Sequence, residues 1–473
     1  MKRWTKPVIV IAVFALIAVA CAQGETATTT TAAPATTAAP ATTAAPATTA
    51  APATTAAPEP AVKFDIGVTA EPCEGGNPDR GCIYLGIIDD ETGPFAATAP
   101  ALVGGQKAFW ATVNATGGIA GAFDVTIPDD LVKDGQYKPD VTVQKYTQIA
   151  DSIAALAMLL GTPQGIATLD SMKADNTIAA PMTWWSGWGF DSTDYGLVLE
   201  FGTNYCFEAM NAVDWAIQAV PAAGRSTVAS VGIVKFPGDY GDDYAAGVAK
   251  AAEADGLKVA WQQVIIPASA GGDPTQAEAV AKIAADPVDV VFVVSGPSEL
   301  AAVVGGAAQV LGEKVPIFIG ASPTWNPGLL KTAASAAFEL GIYYQSAPFG
   351  PWGYDSVGHE KMRTALGDVP GNFFFVAGWA SQYALKAAFE AAYAAGDLTK
   401  AGIYAAAQNL TDVDYEGMMP ARSFAGAPND VFPRGSLMSG VDTSAVDGVS
   451  VLKDFFTGPT AAKYDFTEPC AKP

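Results

Sequence analysis

Short, unbroken apolar runs alternate with longer stretches of helical period along most of this chain. Ile83–Ile88, Ala155–Leu160, Val228–Val234, Lys258–Ile266, Val288–Val294 and Val315–Ile319 read as strands, each running into a Gly, a Pro or a polar turn. Between them, Ala99–Asn114, Phe207–Val220, Tyr244–Ala254, Thr275–Ala285 and Ser298–Leu311 read as helices. Strands that are apolar on both faces belong in parallel sheets covered by helices on both sides. The pattern covers roughly 400 residues, more than one core accommodates, and predicts an α/β protein of two doubly wound lobes. Ser356 to Gln408 is rich in helix, and Met418 to Gly458 is an irregular tail broken by Gly and Pro. No repeat of domain size is visible.

The first 62 residues follow a different pattern. Lys2, Arg3 and Lys6 precede the apolar run Val8–Ala20, which is too short to span a bilayer comfortably and suits an export signal over residues 1–20. Small residues lead into Cys21 as in the lipobox of bacterial lipoproteins, although Ala18 stands where Leu is usual. The expectation is a lipidated Cys21 at the membrane face, with an ordinary secretory signal as the alternative. From Thr26 to Pro58 only Thr, Ala and Pro occur, with proline at every sixth position from Pro34. Such a tract has nothing to bury and reads, over 21–62, as an extended spacer reaching on the order of 100 Å at about 3 Å per residue.

Charge and cysteine narrow the function. The 26 Lys+Arg against 48 Asp+Glu give a net charge of −22, which repels phosphate backbones and excludes nucleic-acid partners. Past Cys21 four cysteines remain, and an even number outside the cell favours disulfides. Cys73 and Cys82 flank a Gly/Pro/Asn loop and are expected to pair. Cys206 and Cys470 then pair by elimination, unless both stay reduced.

Enzyme motifs are missing. There is no phosphate-binding loop ending in Lys-Ser/Thr, no Gly-x-Gly-x-x-Gly after a strand, no Gly-x-Ser-x-Gly elbow and no Cys-x-x-Cys. The single histidine, His359, cannot build a multi-histidine metal site and reads as a solvated helix residue. Asp89-Asp90-Glu91 reads as a solvated turn. No cofactor and no metal are expected.

Candidate chemistry lies in loops that follow strands, where open parallel sheets bind ligands outside their carboxyl ends. Thr92 and Phe95, Thr162 and Gln164, Thr183, Trp184 and Trp185, Tyr240, Ser295, and Ser322 and Trp325 occupy such loops. Aromatic walls with a few hydroxyls suit a small-molecule crevice, and these eleven residues are the candidate ligand contacts.

The same segments carry a resemblance. Tyr84–Ile88 through Thr92-Gly-Pro-Phe-Ala96, then Asn114-Ala-Thr-Gly-Gly-Ile-Ala-Gly121, resemble the opening of the branched-chain amino-acid-binding family of type I periplasmic solute-binding proteins. Leu159–Thr162, Ala180–Thr183 and Phe236–Tyr244 are similar to its later ligand loops, so the likeness spans roughly Ile83 to Ala394. It implies two lobes joined by three crossovers that close on a solute, delivery to the membrane subunits of an ABC permease, and an extracytoplasmic, membrane-anchored location. A sensor of the same fold is the alternative, and an enzyme is less expected.

Lobe 1 would run over 83–204 and about 353–415, lobe 2 over 205–346 and about 416–473, which would let Cys206 and Cys470 meet. The family pattern puts first-lobe contacts at Thr162 and Thr183 and has Tyr240 close from the second lobe. The loop at Ala321–Trp325 lacks the acid that often holds an amino-acid ammonium, and Trp184, Trp185, Trp188 and Trp325 add unusual bulk. The solute is then an amide, an aromatic acid, or an amino acid whose charge is met elsewhere, for example by Asp239.

Overall fold

The computed structural model describes residues 62–190 and 196–472. The export signal, Cys21, the Thr/Ala/Pro tract and positions 191–195 lie outside the described residues.

The first sheet comes entirely from the N-terminal part of the chain. Lys63–Phe64 (β1) stands apart from it, while Val68–Thr69 (β2) leads into the long central strand Gly81–Asp89 (β3). Helix α1 (Ala99–Ala115) returns to Phe123–Thr126 (β4) and Val132–Asp134 (β5), which both pair in parallel with β3. Helix α2 (Pro139–Ile149), β6 (Ala155–Leu160), α3 (Thr162–Asp175) and β7 (Ile178–Met182) complete it. The order runs β2-β3-β6-β7, and β6 and β7 are buried along their whole length, as continuous apolar strands require.

The second sheet follows a crossing of the chain. Helix α4 (Tyr205–Ala222) leads to β8 (Ser230–Lys235), α5 (Asp239–Ala254), β9 (Lys258–Val264), α6 (Ala277–Ala285), β10 (Val290–Val294), α7 (Pro297–Leu311), β11 (Ile317–Gly320), the short α8 (Ser335–Phe338) and β12 (Tyr343–Ala347). The chain crosses back to α9 (Val357–Leu366), α10 (Phe373–Ala380), α11 (Gln382–Ala394), β13 (Asp397–Leu398, paired with β1) and α12 (Lys400–Ala407). It crosses a third time through the short α13 (Pro428–Val431) to β14 (Ser436–Val441) and β15 (Val449–Phe456), and ends in α14 (Pro459–Lys463). The seven strands lie in the order β15-β14-β12-β11-β10-β8-β9. The result is the two-lobed, doubly wound α/β fold that the alternation predicts, with the three connecting segments that the resemblance implies.

Three expectations are corrected. The irregular tail holds β14 and β15, antiparallel to each other, with β14 antiparallel to β12. Their pattern is hidden because β15 is an edge strand whose middle is exposed. His359 is fully buried: its ring nitrogens meet the Ser356 hydroxyl at 2.8 Å and the Gly350 carbonyl at 3.1 Å. Burial lowers its pKa to about 4, so it is neutral at pH 7. Asp89 and Asp90 are buried too, and Asp90 accepts the backbone N–H of Phe95 at 2.7 Å. Burial, with Glu91 and Asp134 nearby, raises the Asp89 pKa to about 7.

Both disulfides are present, Cys73–Cys82 and Cys206–Cys470. The first staples the entry into β3. The second ties the C-terminal tail to the first turn of α4.

Glycine sets the wall of the future site. A Cβ on Gly105 of α1 would lie 2.4 Å from the Phe375 carbonyl, and one on Gly378 of α10 would lie 2.1 Å from the Leu102 carbonyl. Only two glycines let these helices touch backbone to backbone. That contact brings Thr98 and Leu102 beside Phe373 and Phe374.

Candidate functional site

The two sheets meet at the carboxyl ends of their strands. There the loops after β3, β6 and β7 face those after β8, β10 and β11. Helices α3 and α5 begin opposite each other: a Cβ on Gly238, the residue before α5, would lie 3.9 Å from Pro163. A Cβ on Gly296 would lie 3.8 Å from the Pro94 carbonyl. The cleft is therefore shut.

Inside it lies a chamber of about 30 Å³, walled by Phe95, Leu102, Met182, Trp184, Phe373 and Phe374. Pro323 and Tyr240 close it from the second half, and Tyr137 and Tyr205 complete it. Its polar edge is Gly161, Thr162 and Thr183, with the two threonine hydroxyls hydrogen-bonded to each other. Thr162 opens α3, whose first N–H groups have no acceptor in a preceding turn. The positive end of the helix therefore points at this edge.

Beyond Tyr137 and Tyr240, which border both spaces, an outer chamber of about 300 Å³ opens. Pro94, Pro163, Phe236, Pro237 and Pro267 line it, with Thr92, Lys138 and Asp239 as its polar members. Tyr137 and its neighbour Gln136 have φ values of 51° and 56°, an unfavourable conformation for side-chain-bearing residues. This bend turns the chain at the boundary between the chambers.

Among the sequence candidates, Phe95, Thr162, Thr183, Trp184 and Tyr240 line the inner chamber and Thr92 the outer. Trp184 donates its indole N–H to the Phe201 carbonyl at 2.6 Å, and Tyr240 donates to the Ser295 carbonyl at 3.1 Å. The other five lie outside both chambers. Trp185 donates to the Ala471 carbonyl at 3.0 Å and packs edge-on against Trp188. Trp325 is fully buried, stacks on Tyr343 and donates to the Asp447 carbonyl at 2.9 Å. The Ser295 hydroxyl bonds to the Gly296 carbonyl. Ser322 gives its backbone N–H to Glu208. Gln164 is buried on α3, where a Cβ on Gly161 would meet its Oε1 at 2.2 Å.

Sequence reasoning missed Tyr137, Tyr205, Phe373 and Phe374. The run Phe373-Phe374-Phe375 behind the helix-capping Asn372 was a usable signal, whereas Tyr137 sits in a turn with no distinguishing pattern.

The acids around the chamber are engaged elsewhere, although Glu208 keeps one oxygen, Oε2, buried without a hydrogen-bond partner. Glu208 accepts the Ser322 N–H at 2.8 Å and the Ser346 hydroxyl at 2.6 Å, and burial raises its pKa to about 8. Asp243 accepts the Ser186 N–H and hydroxyl at 3.0 and 2.5 Å and the Ala471 N–H at 3.2 Å, and burial raises it to about 7. Asp239 borders only the outer chamber. Among the described residues no three metal-ligating side chains come together, and no helix is long and apolar enough to cross a membrane.

Two doubly wound halves that shut on a chamber at their facing strand ends define the class of two-lobed solute-binding folds. A family model described as periplasmic binding protein matches residues 83–438, well over half of the chain, and the chain belongs to that family, in its type I, branched-chain-binding form. Its structural neighbours are ABC-transporter substrate-binding proteins, not enzymes.

A fatty acid ABC transporter substrate-binding protein from Thermomonospora curvata aligns with a TM-score of 0.73 at 25% identity, over 85% of this chain and 97% of that one. A branched-chain amino acid ABC transporter protein from Thermus thermophilus with bound valine aligns at 0.67 and 16% identity, over 81% and 98%. A solute-binding protein from R. palustris in complex with benzoate aligns at 0.60 and 16%, over 79% and 96%. The last two show likeness of fold alone. No curated protein matches the sequence.

Proposed function

We propose that this protein captures a small organic solute between its two halves and delivers it to the membrane subunits of an ABC permease. It is exported, cleaved before Cys21 and held to the outer face of the membrane by a lipid on that cysteine, with the Thr/Ala/Pro tract as spacer. Phe95, Thr162, Thr183, Trp184 and Tyr240 hold the solute, with Thr92 at the outer opening.

The observation that carries this reading is the chamber itself, closed between the strand ends of both sheets with a hydroxyl pair at one edge. The mechanism is hinge closure: the solute touches both halves only when they are shut, so its differential affinity stabilises the shut form. No covalent step is needed. The neighbours named for fatty acid, bound to valine and bound to benzoate mark the range of solutes that this fold takes.

A thermal-shift panel of amino acids, aromatic acids, amides and short sugars tests the reading. A solute at ~100 times its Kd adds roughly 2.7 kcal/mol to the native state. A shift confined to one chemical class supports capture. Absence of any shift, with no small molecule released on denaturation, overturns it.

A further inference from the structure

We propose a second binding site, separate from both chambers, for a guanidinium or ammonium group on a short aliphatic stem, with Asp89 as its anchor.

Four acids, Asp89, Asp90, Glu91 and Asp134, gather where β3 and β5 end side by side, and they are not alike. Asp90 accepts the backbone N–H groups of Gly93 and Phe95. Asp134 accepts those of Glu91 and Gln136, and the Thr92 hydroxyl as well. Glu91 is exposed to water. Asp89 is the exception: it is 3% exposed, yet its Oδ1 has no hydrogen-bond partner. A carboxylate oxygen buried in this way is costly until a donor from outside completes it. The raised pKa of Asp89 has the same origin, burial first and then Glu91 and Asp134.

Asp89 forms the floor of an open hollow of about 710 Å³ between the start of α1 and β5. Three acids, Asp89, Glu91 and Asp129, line it against one base, Lys107. Lys107 lies 2.5 Å from Asp129 at the rim, where the Asp129 side chain is 95% exposed. The base is thus taken up outside, and the floor keeps a negative field that favours a cation. The sides are apolar, formed by Ala99, Pro100, Val103 and Val132. Such walls offer nothing to a hydrated metal ion, and among the described residues no three metal-ligating side chains come together. They do cover a methylene stem whose charged end reaches a carboxylate. A guanidinium, with its fork of N–H donors, fits that carboxylate best. Ala96 lines this hollow and the preceding Phe95 lines the inner chamber, so the two sites share a loop but no space.

The test is an NMR titration of the full chain, with the Val103 and Val132 methyl groups as reporters on the wall. Butylguanidinium is the probe and butylurea its uncharged match. The cation should give saturable shifts at both valines and bind at least tenfold more tightly than butylurea, and Asp89→Asn should weaken it at least tenfold. Glu91→Gln, on the exposed side, should weaken it several-fold and decides the matter if Asp89→Asn does not fold. No saturable shift, equal binding of the two probes, or unchanged affinity in the variants overturns the inference. So does a calcium ion that moves the same methyl groups at lower concentration than butylguanidinium. An acetylated, amidated Gly-Arg-Gly peptide separates the sources: binding on a par with butylguanidinium assigns the site to a basic side chain of a partner protein, and exclusion of the peptide assigns it to a free organic cation. None of these outcomes bears on solute capture, which the thermal-shift panel decides.

Discussion

Gly161 occupies a position that no larger residue fills without displacing two neighbours. Its φ is 94°, and a Cβ would lie 2.2 Å from Gln164 Oε1 and 2.7 Å from the Tyr137 ring. Gly161→Ala should lower stability by about 1–2 kcal/mol from backbone strain alone. It should also weaken binding by pushing Tyr137 out of the boundary between the chambers. Urea titration with a parallel binding isotherm checks both, and an unchanged isotherm would separate Tyr137 from the site. Thr183→Val keeps the volume and removes one hydroxyl of the polar edge. A roughly tenfold or greater loss of affinity is the expected result, with the unfolding midpoint lowered as well because the buried Thr162 hydroxyl loses its partner.

At this scale the sequence was a partial guide. As lining residues of the chambers, Phe95, Thr162 and Tyr240 were legible because each follows a recognisable strand, and strand ends are where such sheets bind, whereas Thr183 and Trp184 were reached through the family likeness of Ala180–Thr183. Trp185 and Trp325 follow strands equally well. Their indoles are drawn off by the carbonyls of Ala471 and Asp447, far along the chain. A hydrogen-bond partner that distant leaves no mark near the residue it captures.

Among the elements, the parallel strands and their helices were the most readable, since burial on both faces leaves an uninterrupted apolar run. The edge pair β14–β15 was not, because β14 is buried yet interrupted by Ser and Gly, and β15 is exposed along its middle, so neither presents an unbroken apolar run. The disulfides differ sharply in what they close. Cys73 and Cys82 are 9 residues apart, whereas Cys206 and Cys470 are 264 apart. On the chain-entropy model these loops correspond to about 2.5 and about 5.5 kcal/mol. Cys470→Ser should therefore lower the melting temperature more than Cys73→Ser does, as calorimetry of each variant under oxidising conditions would show.

Across the whole molecule, buried acids govern the response to pH. Burial raises Glu200 and Glu208 to about 8 and Asp243 to about 7, even though Glu200 lies 3.0 Å from the Arg422 guanidinium. A raised carboxyl holds its proton more firmly in the folded chain than in the unfolded one. Its contribution is complete below about pH 4 and is lost as pH rises through 7 to 8. His359, lowered to about 4, acts in the opposite sense: its contribution is present above its unfolded value and lost as pH falls towards 4. These three acids, together with Asp89 at about 7, outweigh one histidine, so the urea midpoint should fall between pH 5.5 and pH 8. Glu208→Gln should flatten that slope, and an equally steep slope in the variant would remove Glu208 from the account.

The C-terminal tail has a mechanical consequence. One of its ends is covalently fixed to α4 by Cys206–Cys470, while Cys470 and Ala471 reach across to Ser186 and Trp185 in the segment after β7. If the halves part here, the hydrogen bonds at 2.8 and 3.0 Å rupture while the sulfur bridge carries the load. The tail is thus a latch in which Cys470 is fixed to α4 by its sulfur, while its own N–H and the adjoining Ala471 carbonyl grip, releasably, the loop that carries Thr183 and Trp184.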